Sequence, residues 1–145
     1  MKRFFFSLLA AASLALPPCV GAVESDDEAA ARKVALDLAG AFGNDGFKLR
    51  DGHWMGVLEP DKPQLIQINL YAGNQYWFTL GTTSKAKALS ITIYDEAGKP
   101  MVVDPFNDEG KAAAGFSPEA SGPYYLQIKE VAGASSTFCL IYSYK

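Results

Sequence analysis

A chain of 145 residues with 13 Lys and Arg against 16 Asp and Glu has a formal net charge of −3, and this mild acidity argues against nucleic acid or an anionic membrane as the main partner. The only histidine is His53, the one candidate base for a histidine-assisted nucleophile, and with the single cysteine that remains once the N-terminal 22 residues are removed it makes too few nitrogen and sulfur ligands for a zinc site. The length suits one domain, able to bury enough surface to fold without a disulfide.

The first 22 residues have the order of a secretory signal peptide. Lys2 and Arg3 precede an apolar run over 4–16, Pro17 and Pro18 break it, and Val20-Gly21-Ala22 places small residues at −3 and −1 of a cut after Ala22. The run is too short to cross ~30 Å of hydrocarbon, which takes roughly 20 residues. The chain is therefore expected to be exported, to the periplasm or the extracellular space. Cys19 raises a rival, the lipoprotein signal, but two prolines directly before the cysteine fit that pattern badly. Cleavage after Ala22 leaves 123 residues and takes the charge from −3 to −5 through loss of Lys2 and Arg3. It also leaves Cys139 without an intramolecular partner. In Thr137-Phe138-Cys139-Leu140-Ile141 that thiol reads as a small buried hydrophobe. No later segment is long and apolar enough to span a membrane.

Residues 25–42 are expected to form an amphipathic helix, in an N-terminal segment over 23–46. Ser25 and Glu28 have the spacing of a capping box, and Asp26, Asp27 and Glu28 sit where the helix dipole is positive. Ala31, Val34, Ala35, Leu38, Ala41 and Phe42 fall on one face, and Gly43 is placed to end the helix in a left-handed conformation. The acidic start has a calcium-site alternative, but acids within one turn do not surround an ion.

From residue 47 the period becomes two. Strands are predicted around Ile66, Ile68 and Leu70; around Tyr76, Phe78 and Leu80; around Leu89, Ile91 and Ile93; around Tyr124, Leu126 and Ile128; and around Phe138, Leu140 and Tyr142. Weaker strands are predicted over 53–59, 100–104 and 112–117. About eight short strands over 47–145, separated by Gly-, Asn- and Pro-containing turns, predict a mostly β chain: a jelly-roll-like antiparallel β-sandwich preceded by one N-terminal α-helix. Were the strands at 65–71 and 75–80 a hairpin, a three-residue loop over 72–74 would match their apolar faces.

The strands also carry a family resemblance. Ile66-Gln-Ile-Asn-Leu-Tyr-Ala-Gly73-Asn-Gln-Tyr76, Leu89-Ser-Ile-Thr-Ile-Tyr-Asp95-Glu-Ala-Gly98 and Phe116-Ser-Pro-Glu-Ala-Ser-Gly122-Pro-Tyr124-Tyr-Leu126-Gln-Ile128 resemble, in order, motifs of bacterial pre-peptidase C-terminal (PPC) domains. Residues 138–142 take the place of the closing strand. The resemblance covers about residues 52–145. It implies a jelly-roll-like β-sandwich of exported proteins, some relatives of which bind extracellular polymers or calcium.

The usual catalytic constellations are missing. Ser117 lacks the second glycine of a nucleophile elbow, His53 beside Asp51-Gly52 reads as a turn residue, and no phosphate-cradling glycine loop or dinucleotide fingerprint occurs. A hydrolase built on a carboxylate pair is an alternative that needs spatial pairing a sequence does not display. Asp95, Asp104, Asp108 and Glu109 are loop acids and weak calcium candidates, with solvated loop charges as the plainer reading. The alternation turns Trp77 and Tyr125 outward, with Tyr71 and Trp54 as companions. Exposed aromatic faces stack on sugar rings or anchor protein partners; alternatively the helix covers this face. The expectation is a non-enzymatic module without a cofactor that binds an extracellular or periplasmic protein or polysaccharide through Trp77, Tyr125, Tyr71 and Trp54. A structural or envelope-assembly component docking through the helix is the second reading.

Overall fold

A computed structural model of the chain describes residues 21–83 and 88–145. The signal-peptide features over 1–20, Cys19 included, lie outside the described residues. The first element is α1 (Asp26–Gly43), capped by Ser25. The Glu28 amide donates to the Ser25 hydroxyl at 3.2 Å, and the Ser25 amide donates to the Glu28 carboxylate at 2.8 Å, closing the capping box. Those bonds to the charged form hold the Glu28 carboxyl below its ordinary range. Gly43 does not take the left-handed conformation expected of it. It is the last helical residue, and Asn44 caps the helix at φ −66°. Turn bonds from Asp45 to Phe42 and from Gly46 to Gly43 carry the chain onward, so the reversal falls at Gly46, φ 85°.

Nine strands follow among the described residues: β1 (Lys48–Leu49), β2 (Trp54–Leu58), β3 (Gln64–Leu70), β4 (Tyr76–Thr82), β5 (Leu89–Tyr94), β6 (Asp104–Asp108), β7 (Lys111–Phe116), β8 (Gly122–Glu130) and β9 (Ser136–Tyr144). They form two antiparallel sheets. The larger runs β1-β9-β4-β7-β6, with β2 also on the β1 side of β9; the smaller runs β3-β8-β5. From β2 onward the chain changes sheet at every connection except the β6–β7 hairpin, the alternation of a jelly-roll-like sandwich. β3 and β4 therefore lie in different sheets and do not form the hairpin considered over 65–80; Gly73, at φ 90°, turns the chain between them.

One expected strand is displaced. Pro100 makes only an isolated bridge to Tyr94, and the strand begins at Asp104 rather than ending there. Residues 101–103 look strand-like because Met101 and Val103 pack against the core as the chain crosses between sheets. β6 itself is exposed throughout, so it shows no apolar alternation. Its Pro105 is tolerated because β6 is an edge.

Three layers result. Between the sheets, Leu58, Phe78, Leu80 and Leu140 of the larger sheet meet Leu70, Ile93, Leu126 and Ile128 of the smaller one, all with no solvent exposure. On the outer face of the larger sheet, Ala31, Ala35 and Ala39 of α1 pack on Cys139 and Ile141. Strands β4 and β9 are thus buried on both faces, while the smaller sheet has only its inner face covered.

Candidate functional site

The expected aromatic set divides between opposite sides of the molecule. Trp77 is on β4 beneath the helix. Its ring stacks on Phe42 at 4.2 Å and 8° between planes. On its other side lies Gly115, where an added Cβ would stand 2.9 Å from the indole. Trp77 is thus a packing residue between α1 and β7, and leaves the set of expected partner-binding residues. The helix has covered this face, one of the two alternatives the pattern left open.

Tyr125 lies on the opposite side, on β8 at the centre of the smaller sheet. Residues directly opposite on antiparallel strands share a face. Gln67 and Tyr94 flank Tyr125 in one row, Leu65 and Thr92 flank Gln127 in the next, and Asn69 and Ser90 pair with Pro123 and Lys129. The Tyr94 hydroxyl donates to Gln127 Oε1 at 3.4 Å. In these rows Lys129 is the one charged residue, and it stands 3.8 Å from Asp61. The result is an open, nearly neutral face of phenol, amide and hydroxyl groups in a chain that is 20% charged overall. Tyr94, Gln67 and Gln127 were not among the expected site residues. Their signal was present as the uncharged outward positions of three predicted strands.

Trp54 and Tyr71 belong to a cleft of about 490 Å³ at the β3 edge of that face. Its lining joins Arg50, Asp51 and His53 from the β1–β2 connection with Trp54 of β2, Gln67 and Asn69 of β3, Tyr71, and Tyr142 of β9. Trp54 stacks on Tyr142 at 6.0 Å. The Arg50 guanidinium lies 5.8 Å from the centre of the Tyr142 ring, and the Arg50 amide donates to the Tyr142 carbonyl at 3.0 Å. Burial pushes the Tyr142 hydroxyl above the usual tyrosine range, while the Arg50 guanidinium pulls it the other way. Tyr71 is held by its amide, which donates to the Tyr76 hydroxyl at 3.0 Å, and the residue is 58% exposed. Cleft and face are continuous through Gln67 and Asn69, which belong to both. Asp51 is the one carboxylate among the cleft's lining residues.

The calcium candidates do not converge. Asp95 Oδ1 accepts from the Ala97 amide at 3.0 Å and the Lys99 amide at 2.8 Å, closing the turn that Gly98, at φ 77°, completes. Asp108 pairs with Lys111 at 3.4 Å and accepts from the Glu109 amide at 2.8 Å. Asp104 lies at the far end of the exposed β6 edge. Among the described residues no three His, Cys, Asp or Glu side chains are grouped to hold a metal ion. Among the same residues no helix is long and apolar enough to cross a membrane.

Cys139 is fully buried under α1, and burial pushes its thiol up to about 11 from 9.0. Native protein is expected to resist alkylation by iodoacetamide, with labelling appearing only on unfolding. A thiol raised in the folded state stabilises fully below its unfolded pKa and loses that contribution as pH rises through the folded one. The stability of the native chain should therefore fall relative to Cys139→Ala between pH ~9 and ~11, by about 1.4 kcal/mol per pH step of one. Parallel denaturation curves for the two proteins across that window would contradict this.

The chain matches no protein-family model and no curated protein.

Proposed function

We propose that the chain is an exported, non-enzymatic β-sandwich module that binds a polysaccharide outside the cytoplasm. The observation that carries this reading is the nearly neutral outer face of β3-β8-β5, with the row Gln67–Tyr125–Tyr94 across its width. Sugar rings present apolar C–H faces that lie on phenol rings, and hydroxyls that amides both donate to and accept from. A protein interface core would bury a larger apolar patch; Leu65 is the exposed large hydrophobe among these rows. The signal-like N-terminus and the PPC-like order of motifs support export and a module of this kind. A docking role for the helix is less supported, because its small-residue face is used on β4 and β9.

The test is retention on immobilised polysaccharides, followed by titration with soluble oligomers. Tyr94→Ala combined with Tyr125→Ala is expected to weaken binding about 100-fold, roughly tenfold per ring, with little change in Tm because both rings lie on the uncovered face. Undiminished binding by the double variant, or turnover of the oligomer in place of retention, would overturn the proposal.

A further inference from the structure

We infer that the cleft at the β3 edge is a subsite for one uronate unit of the glycan, with Arg50 reading its carboxylate. This rests on the glycan-binding reading of the adjoining face and names the sugar class that the face takes at one end. Among the described residues the five ion pairs engage Arg32, Lys33, Lys62, Lys111 and Lys129, and none engages Arg50. The Arg50 backbone is fixed by its amide on the Tyr142 carbonyl, and its guanidinium lies over the Tyr142 ring and hydrogen-bonds with that residue's hydroxyl. A pre-positioned planar fork without a carboxylate partner, beside a recess, matches a carboxylate ligand in two parallel hydrogen bonds.

The other lining groups fit the rest of a sugar. Trp54 supplies a half-buried indole to the lining, and Asn69 and Gln67 supply amides that pair with hydroxyls. Asp51, on the same rim and in no ion pair with Arg50, accepts from hydroxyls but repels a second carboxylate. The net charge of −3 likewise opposes a uniformly charged polymer. Together these favour an isolated acidic unit over a continuous polyuronate. His53, at the rim, adds a further donor.

The experiment titrates the chain with D-glucuronate and D-galacturonate against D-glucose and D-galactose, following the Trp54 indole and Arg50 guanidinium signals by NMR. Each uronate is expected to bind at least about tenfold more tightly than its neutral counterpart, the worth of one charge-assisted pair. Arg50→Gln should abolish the preference, and Arg50→Lys should restore only part of it, because a point charge does not reproduce the fork. Unchanged Tm in both variants marks the loss as local. Equal affinity for acidic and neutral sugars, no shift at Trp54 with any of the four, or a preference that survives Arg50→Gln overturns the subsite. The Tyr94/Tyr125 retention assay reads the sheet face independently. Retention that the double variant keeps overturns the sheet-face reading alone; retention by the native chain, weakened in the double variant but without a uronate preference, overturns the cleft alone.

Discussion

Replacing Gly81 with valine is expected to lift α1 from the sandwich and to cost about 3 kcal/mol or more, at the upper end of what overpacking does. Gly81 lies in β4 directly under the helix. A Cβ there would stand 2.5 Å from the Ala31 carbonyl oxygen, 2.5 Å from the Ala35 nitrogen and 2.9 Å from the Val34 Cβ. Two of these atoms are helix backbone and cannot turn aside as a flexible side chain does, so the helix must move as a body. The helix sits this close because it presents Ala31, Ala35 and Ala39, at four-residue steps, to the sheet. Urea denaturation measures the loss, and the rate of Cys139 alkylation measures the lifting, since the thiol lies in the same small-residue layer. Native-like stability with a protected thiol in Gly81→Val would show that α1 does not need this close approach.

The sandwich was legible because its inner faces alternate. Ile68 and Leu70, Phe78 and Leu80, Ile91 and Ile93, and Leu126 and Ile128 mark four strands at period two, and each is buried where the alternation puts it. What the alternation does not encode is which sheet a strand joins. Trp77 and Tyr125 both occupy outward positions, but β4 belongs to the sheet that carries the helix and β8 to the sheet that carries none. Local pattern gives a face only relative to its own strand, and the sheet partner is a long-range choice. The same limit explains β6, whose five exposed residues have no apolar face to alternate. It also explains the cleft: Arg50, Trp54, Asn69 and Tyr142 converge from the β1–β2 connection, β2, β3 and β9, and no spacing in the chain brings them together. The capping box was legible because its bonds span three residues.

The second large effect separates the two aromatic residues that the pattern treated alike. Trp77→Ala is expected to destabilise the chain by about 3 kcal/mol, the low end of the range for a buried large aromatic, because its indole is only partly exposed. The loss has two sources. Phe42 loses a parallel stacking partner at 4.2 Å, worth about 1 kcal/mol beyond burial, and a gap opens over Gly115, whose missing side chain is what lets the indole lie flat on β7. Neither neighbour closes that gap without moving backbone: Phe42 is in the last turn of α1, and Gly115 is fixed in register with both Trp77 and Asp104. Tyr125→Ala, on the uncovered face, should shift the urea midpoint little and carry its effect into glycan retention instead. The pair thus has opposite signatures, stability lowered with retention kept for folded Trp77→Ala, and retention weakened with stability kept for Tyr125→Ala. A Trp77→Ala protein that melts like the native chain but no longer binds glycan would place the binding surface on the helix side and overturn the assignment to the β3-β8-β5 face.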